Sequence, residues 1–241
     1  NEQWKAMQTG QIDMTAFPLD CASGAHPQFG ATLMPGLVKN HEHAARINRS
    51  PFMQDIKAII EQAGVKVLAD AWLAGAFGSK DKCIRKPEDA AGLKVRSAGA
   101  TFAQMWAGAG ASIVSIPSNE VYNALQQGVA QATDTSTGSF VSFRLYEQIK
   151  CLTAPGDNAL WFMYEPVLIS KRAWDKLNPA HQNAMMAAAK KHKVGITEAF
   201  MYKHHPQTLK VLDLIKQDTI GELLLIKGAF TFNLDRPDDV R

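Results

Sequence analysis

Little in these 241 residues points to a membrane, a metal or a nucleic acid. No apolar run approaches the roughly 20 residues that cross a bilayer, which excludes a membrane-embedded helix bundle. Neither sign of charge dominates: 26 Lys and Arg are interspersed with 23 Asp and Glu, for a net charge of +3. Without a basic stripe carrying aromatic residues, a nucleic-acid partner is not expected. Cysteine is scarce. Cys21, Cys83 and Cys151 contain no Cys-x-x-Cys pair, so zinc and dithiol redox motifs find no support. An odd count fits one disulfide plus a free thiol, or three buried thiols. Cys83–Cys151 is the first pairing to consider, and the sequence does not choose. Internal repeats and low-complexity tracts are also missing. No Met or secretory leader opens the chain, which begins inside an apparent helix at Asn1-Glu2-Gln3-Trp4; the expectation is a mature or truncated product.

What is present is an alternation of short apolar strands with amphipathic helices, the pattern of an α/β fold. Trp4 to Gln8 reads as the end of a helix closed by Gly10, and Ile12 to Phe17 as a strand entering a Pro/Asp/Ser/Gly loop. Ser50-Pro51 is a helix start, an N-cap followed by a proline whose missing N–H costs nothing there. Phe52, Ile56, Ile59 and Ile60 share one face of that helix, and Gly64 ends it. Val65–Ala69 and Gly92–Arg96 read as strands, Thr101–Ala107 as a helix, Ser112–Ile116 as a strand. A helix carrying Val121 and Leu125 precedes a short strand at 131–134 and a helix from Ser139 to Ile149. Leu160–Ser170 is a long apolar strand interrupted by Glu165-Pro166, which suggests an edge or a crossing. Asn178-Pro179 opens another helix.

Four motifs then occur in order: Met7-Gln8-Thr9-Gly10-Gln11-Ile12-Asp13-Met14, Lys86 to Arg96 (Lys-Pro-Glu-Asp-x-x-Gly-Leu-Lys-x-Arg), Glu120 to Gly128 (Glu-Val-Tyr-x-Ala-Leu-Gln-x-Gly), and Leu145 to Thr153. Over roughly residues 2–190 their order and spacing resemble the solute-binding proteins of tripartite ATP-independent periplasmic (TRAP) transporters. The resemblance implies a two-lobed periplasmic binding protein-like fold, here N-terminally incomplete, with residues 1–95 supplying the rest of lobe one and 96–186 supplying lobe two and a crossing strand. It implies a periplasmic receptor, without catalysis, metal or cofactor, that hands a small organic acid to TRAP membrane permease subunits. It also implies that Arg96 pairs with the ligand carboxylate. A planar guanidinium donates two parallel hydrogen bonds to a carboxylate, where a lysine would supply attraction without the fork.

Further candidates surround that position. Phe17, in the loop Phe17-Pro18-Leu19-Asp20, belongs to the first lobe, and Ser118 or Asn119 caps the helix of the third motif, with Ser118 the candidate ligand contact. Asp134, Thr135 and Ser136 stand where the family often has an asparagine, and read either as ligand contacts or as a structural turn. Trp72 and Trp161 are candidates for the pocket wall, with core packing the alternative for each. A second arginine of some relatives has no counterpart at Gly75-Ala76-Phe77, which argues for a smaller or flatter acid than a sialic acid. His41 and His43, two apart near a helix start, share no face and make poor metal ligands.

The tail differs. From about residue 187 to 241, Glu198–Gln207 and Leu214–Leu223 resemble a segment of the glucose–fructose oxidoreductase/inositol dehydrogenase (Gfo/Idh/MocA) family, which implies a strand-helix-strand tail and a possible chimera. An NAD(P)-dependent oxidoreductase fragment, or a non-functional fusion of the two families, is therefore the alternative reading. The dinucleotide fingerprint it requires is missing: Gly108-Ala109-Gly110 lacks the third glycine and follows a helix where a strand is needed.

Overall fold

Helix α1 (Glu2–Thr9) buries Trp4 and Met7 and leads into strand β1 (Met14–Ala16). That strand is shorter than the expected 12–17, because the amides of Gln11 and Ile12 bond back to the Ala6 carbonyl and close the helix. The computed structural model describes residues 2–97 and 99–191. Helix α2 (His41–Ile47) starts at Asn40, whose side-chain oxygen accepts from the His43 N–H at 2.8 Å. Helix α3 (Pro51–Gln62) starts as its sequence indicates, with Ser50 Oγ accepting from the Met53 N–H at 3.3 Å. Its Met53, Ile56 and Ile60 recur at helical spacing and are buried. Gly64 then takes φ 83°, a left-handed turn that suits glycine, and strand β2 (Val65–Ala69) begins at once.

Strand β3 (Trp72–Ser79) follows after only Asp70 and Ala71. The remaining order is β4 (Lys94–Arg96), α4 (Ala100–Gly108), β5 (Ser112–Val114), α5 (Val121–Gln126), β6 (Ala132–Ser136), α6 (Thr137–Ser142), β7 (Cys151–Thr153), β8 (Phe162–Tyr164), β9 (Val167–Ser170), α7 (Lys171–Lys176) and α8 (Pro179–Lys191). Helix α6 stops well short of the expected Ile149. Arg144 adopts φ 55°, its guanidinium is held by Glu147 Oε1 at 2.6 and 2.8 Å, and a 3₁₀ turn takes over at Leu145–Glu147.

The strands form two sheets. In the first, β9 lies between β1 and β2 and runs antiparallel to both. In the second the order is β5-β4-β6-β3-β7, with β8 also paired to β3. There β4 runs parallel to β5 and β6, whereas β3 runs antiparallel to β6, β7 and β8. Two chain segments pass from one sheet to the other: β2 to β3 through Asp70 and Ala71, and β8 to β9 through Glu165 and Pro166. The proline has no N–H to donate, so pairing breaks there and the chain changes sheet. Neither sheet is one stretch of sequence, so the division expected at residues 95 and 96 is not a single cut: β3 joins the second sheet before it, and β9 returns to the first after it.

The crossing segments are bonded to each other. The Glu165 N–H donates to the Ala71 carbonyl at 2.9 Å, and Asp70 accepts from Lys57 Nζ at 2.8 Å and from Tyr164 Oη at 2.6 Å. Burial, reinforced by the Asp70 charge, holds the Tyr164 hydroxyl well above its ordinary pKa, so it remains a donor. One apolar cluster, including Trp4, Phe17, Ile60, Trp72, Tyr164 and Leu168, packs the first sheet. Two others cover opposite faces of the second, one with Phe102, Trp106 and Trp161, the other with Leu125, Phe140 and Leu145. A disulfide joins Cys83, beyond the end of β3, to Cys151 at the start of β7, and Cys21 is free.

Candidate ligand site at Arg96

Parallel strands β5, β4 and β6 end at a common edge of the second sheet, the end where open α/β sheets place their ligands. Arg96 is the last residue of β4, between Val114 of β5 and Thr133 of β6, and its side chain turns to that edge. It is only 4% exposed. Its Nε donates to the Ile116 carbonyl at 3.1 Å, one terminal nitrogen to the Asp134 carbonyl at 3.3 Å, and the other to Ser118 Oγ at 3.0 Å. A guanidinium has five N–H groups, so these bonds leave one on each terminal nitrogen. Burial lowers the Arg96 pKa, with the charges of Asp134, Cys21 and Asp20 opposing the shift; an arginine remains cationic under either influence.

Asp134 is held through both backbone and side chain. Its carbonyl accepts from Arg96 and from Thr133 Oγ1, and its Oδ2 accepts from Trp106 Nε1 at 2.6 Å. Ser136 Oγ accepts from the Ser139 N–H and so caps α6. Thr133 to Ser136 are all buried.

Asp20 completes the arrangement from the other sheet. It lies in a 3₁₀ turn (Leu19–Ala22) just after β1 and is 4% exposed, yet neither of its carboxylate oxygens has a hydrogen-bond partner. Gly99, three residues beyond Arg96, packs so closely against the Asp20 carboxylate that a Cβ there would have no room. Burial, and then the charge of Asp134, raise the Asp20 pKa from 3.8 to about 7. Its own backbone N–H and the Arg96 charge pull the other way, and Glu165 adds to the rise.

The structure thus brings together Arg96, Ser118, Asp134, Thr135 and Ser136. It places the aromatic candidates elsewhere or differently. Trp72 packs on Tyr164 at 4.9 Å in the first core, with its indole N–H donating to Asn48 at 2.7 Å. Phe17 stacks on Trp4 at 5.8 Å in the same core. For Trp72 the structure takes the core-packing alternative, and Phe17, expected in the first-lobe loop of the site, is used in the same core. Trp161 lies over Gly75 and against Phe102 at 4.8 Å, and its buried Nε1 has no partner. Trp106 was not singled out by sequence reasoning, because it looks like any amphipathic-helix aromatic, and Asp20 entered only as the last residue of the first-lobe loop Phe17-Pro18-Leu19-Asp20. Among the described residues, no three His, Cys, Asp or Glu side chains are grouped to hold a metal, and His41 packs edge-on to Phe162 at 5.0 Å. No helix among them is long and apolar enough to cross a membrane.

Two sheets joined by two crossing segments, with a buried polar cluster at their adjoining ends, define a two-lobed α/β binding-protein architecture. Residues 1–207 match bacterial extracellular solute-binding protein, family 7, and the chain belongs to that family. A solute-binding protein of Albidiferax ferrireducens is 39% identical over 186 residues, covering 77% of this chain and 55% of that protein. The 2,3-diketo-L-gulonate-binding periplasmic protein of Escherichia coli is 27% identical over 185 residues, covering 75% of this chain and 55% of its own length. The chain therefore spans little more than half of these curated relatives. A TRAP periplasmic solute-binding protein from Rhodoferax ferrireducens, solved with bound malonate, superimposes with a TM-score of 0.73 at 33% identity, covering 88% of this chain and 73% of that one. The family match runs past residue 187 into the segment that resembles oxidoreductases. Residues 187–191 complete α8, and the rest of that tail lies outside the described residues.

Proposed function

We propose that the protein is an extracytoplasmic solute-binding protein that captures a small organic carboxylate and delivers it to a TRAP-type membrane permease, performing no chemistry itself. The observation that carries this reading is Arg96: a deeply buried guanidinium at the ligand end of a parallel sheet, with one unspent N–H on each terminal nitrogen. Burying a cation is costly unless something answers it, and a ligand carboxylate answers it with charge and hydrogen bonds. Ser118 and the Ile116 carbonyl orient the guanidinium, and Thr135 of the adjoining strand β6 carries a hydroxyl, while that of Ser136 is used to cap α6. Two relatives support the ligand class, one named for 2,3-diketo-L-gulonate and one holding malonate. The Cys83–Cys151 disulfide agrees with an oxidising compartment such as the periplasm. Capture would follow a shift from an open to a closed arrangement, favoured by contacts made only when both lobes meet the ligand.

A thermal-shift screen of keto acids, dicarboxylates and sugar acids identifies the ligand, because binding to the folded state raises the melting temperature. With that acid, Arg96→Lys weakens binding by about one to two orders of magnitude in calorimetry, about 1.4–2.8 kcal/mol. Unchanged affinity rejects the clamp.

A further inference from the structure

We propose that Asp20 is a second ligand-recognition group, accepting a hydrogen bond from a ligand hydroxyl, so that the site takes a hydroxycarboxylate with its carboxylate on Arg96 and its hydroxyl on Asp20. The inference rests on reading Arg96 as the carboxylate clamp and goes beyond it by naming the other end of the ligand.

Three observations lead there. Asp20 is as buried as Arg96, and neither of its oxygens has a partner. An unsatisfied buried acceptor costs roughly 1–3 kcal/mol, more when charged, so such a group calls for an explanation. Other carboxylates taken out of water are not left this way: Asp134, close enough for its charge to act on Asp20, accepts from Trp106, and half-buried Asp70 accepts from both Lys57 and Tyr164. Finally, Asp20 comes from the loop after β1 in one sheet, whereas Arg96 and Asp134, whose charges it feels, come from the other.

The sign of the site selects among ligands. One guanidinium stands near Asp20 and Asp134, so a second full negative charge on the ligand meets carboxylate instead of cation. A hydroxyl suits Asp20 whatever its protonation. It donates to the carboxylate and accepts from the neutral acid, and with a pKa of about 7 Asp20 visits both forms near neutral pH. An ammonium answers only the charged form. An alkyl group answers neither, and would seal the orphaned oxygens away from water. Sites that hydrogen-bond a ligand hydroxyl discriminate strongly against the analogue without it, because the buried group is then left unpaired.

Calorimetry on the full chain with L-lactate, D-glycerate, propionate and L-alanine tests this. At pH 7, lactate or glycerate binds at least tenfold tighter than propionate, and tighter than alanine. In Asp20→Leu that ratio falls below threefold; should this variant fail to melt cooperatively, Asp20→Ala is read in its place. Equal binding of propionate and the hydroxy acids by the native protein overturns the proposal. So does a ratio that survives loss of the Asp20 carboxylate, or a preference for alanine. Arg96→Lys separates the two readings. If it weakens every acid while the hydroxyl preference is nil, the carboxylate clamp stands and the Asp20 inference falls. If no acid binds the native protein at millimolar concentration, both fall.

Discussion

Asp70 and Asp20 carry the same side chain into opposite circumstances. Asp70, where β2 passes into β3, is 22% exposed on its side chain and fully engaged, with an ammonium on one oxygen and a phenol on the other. Asp20, near Arg96, is more deeply buried, and among the described residues no other residue donates a hydrogen bond to its carboxylate. Desolvation alone would place the better-satisfied carboxylate where water is scarcer, since that is where an unmade bond costs most. The reversal separates two uses of buried charge. At the crossing, Lys57, Asp70 and Tyr164 join α3, the inter-sheet connection and β8, a network whose members answer one another. At the sheet edge, the Asp20 carboxylate and the remaining N–H groups of Arg96 meet no hydrogen-bond partner from another residue among those described.

The comparison can be broken most forcefully at Asp20. Its pKa is raised from 3.8 to about 7, so between those values the folded protein holds a proton that the unfolded chain releases. Stability therefore falls as pH rises through that window and levels off above it. Asp20→Asn removes the penalty. Denaturation at pH 8 should show the unliganded variant more stable than the native protein by up to roughly 4 kcal/mol, and melts below pH 4 should show no gain. A variant equally or less stable at pH 8 would mean that Asp20 is satisfied in solution.

Asp70→Ala should act in the opposite direction, costing about 2 kcal/mol in urea denaturation because the buried Tyr164 hydroxyl loses its acceptor. Lys57, 30% exposed on its side chain, can turn to water and adds little. Tyr164→Phe sharpens the same point with a smaller effect. It removes one bond of the network and leaves Asp70 with Lys57, for a loss of about 1 kcal/mol by the same measurement.

Much of the local structure is legible along the chain. Ser50-Pro51 and Asn178-Pro179 each start a helix, with Asn178 Oδ1 accepting from the His181 N–H at 2.9 Å. Glu165-Pro166 divides one apolar run into two strands on different sheets. The position of Arg96 follows from its motif and from the strand it ends. Other features depend on what arrives from elsewhere. Phe162 and Tyr164 are two apart and Trp161 just precedes them, yet all three are buried, the first two in the core of the first sheet and Trp161 in a core of the second. Trp72 looks as able to line a pocket as to fill a core. Its role is decided by Asn48, which takes its N–H, and by Tyr164, which takes its ring.

Sequence alone determined the caps, the α/β alternation, the break at Pro166 and the residue at the end of β4, since each depends on neighbours a few positions away. Tertiary structure decided that a loop from one sheet sets Asp20 against Gly99 and near Arg96, and that among the described residues no other residue donates to its oxygens. The physical reason is that hydration and charge are summed over space. Whether a carboxylate is paired depends on every group within a few ångströms, wherever in the chain those groups originate.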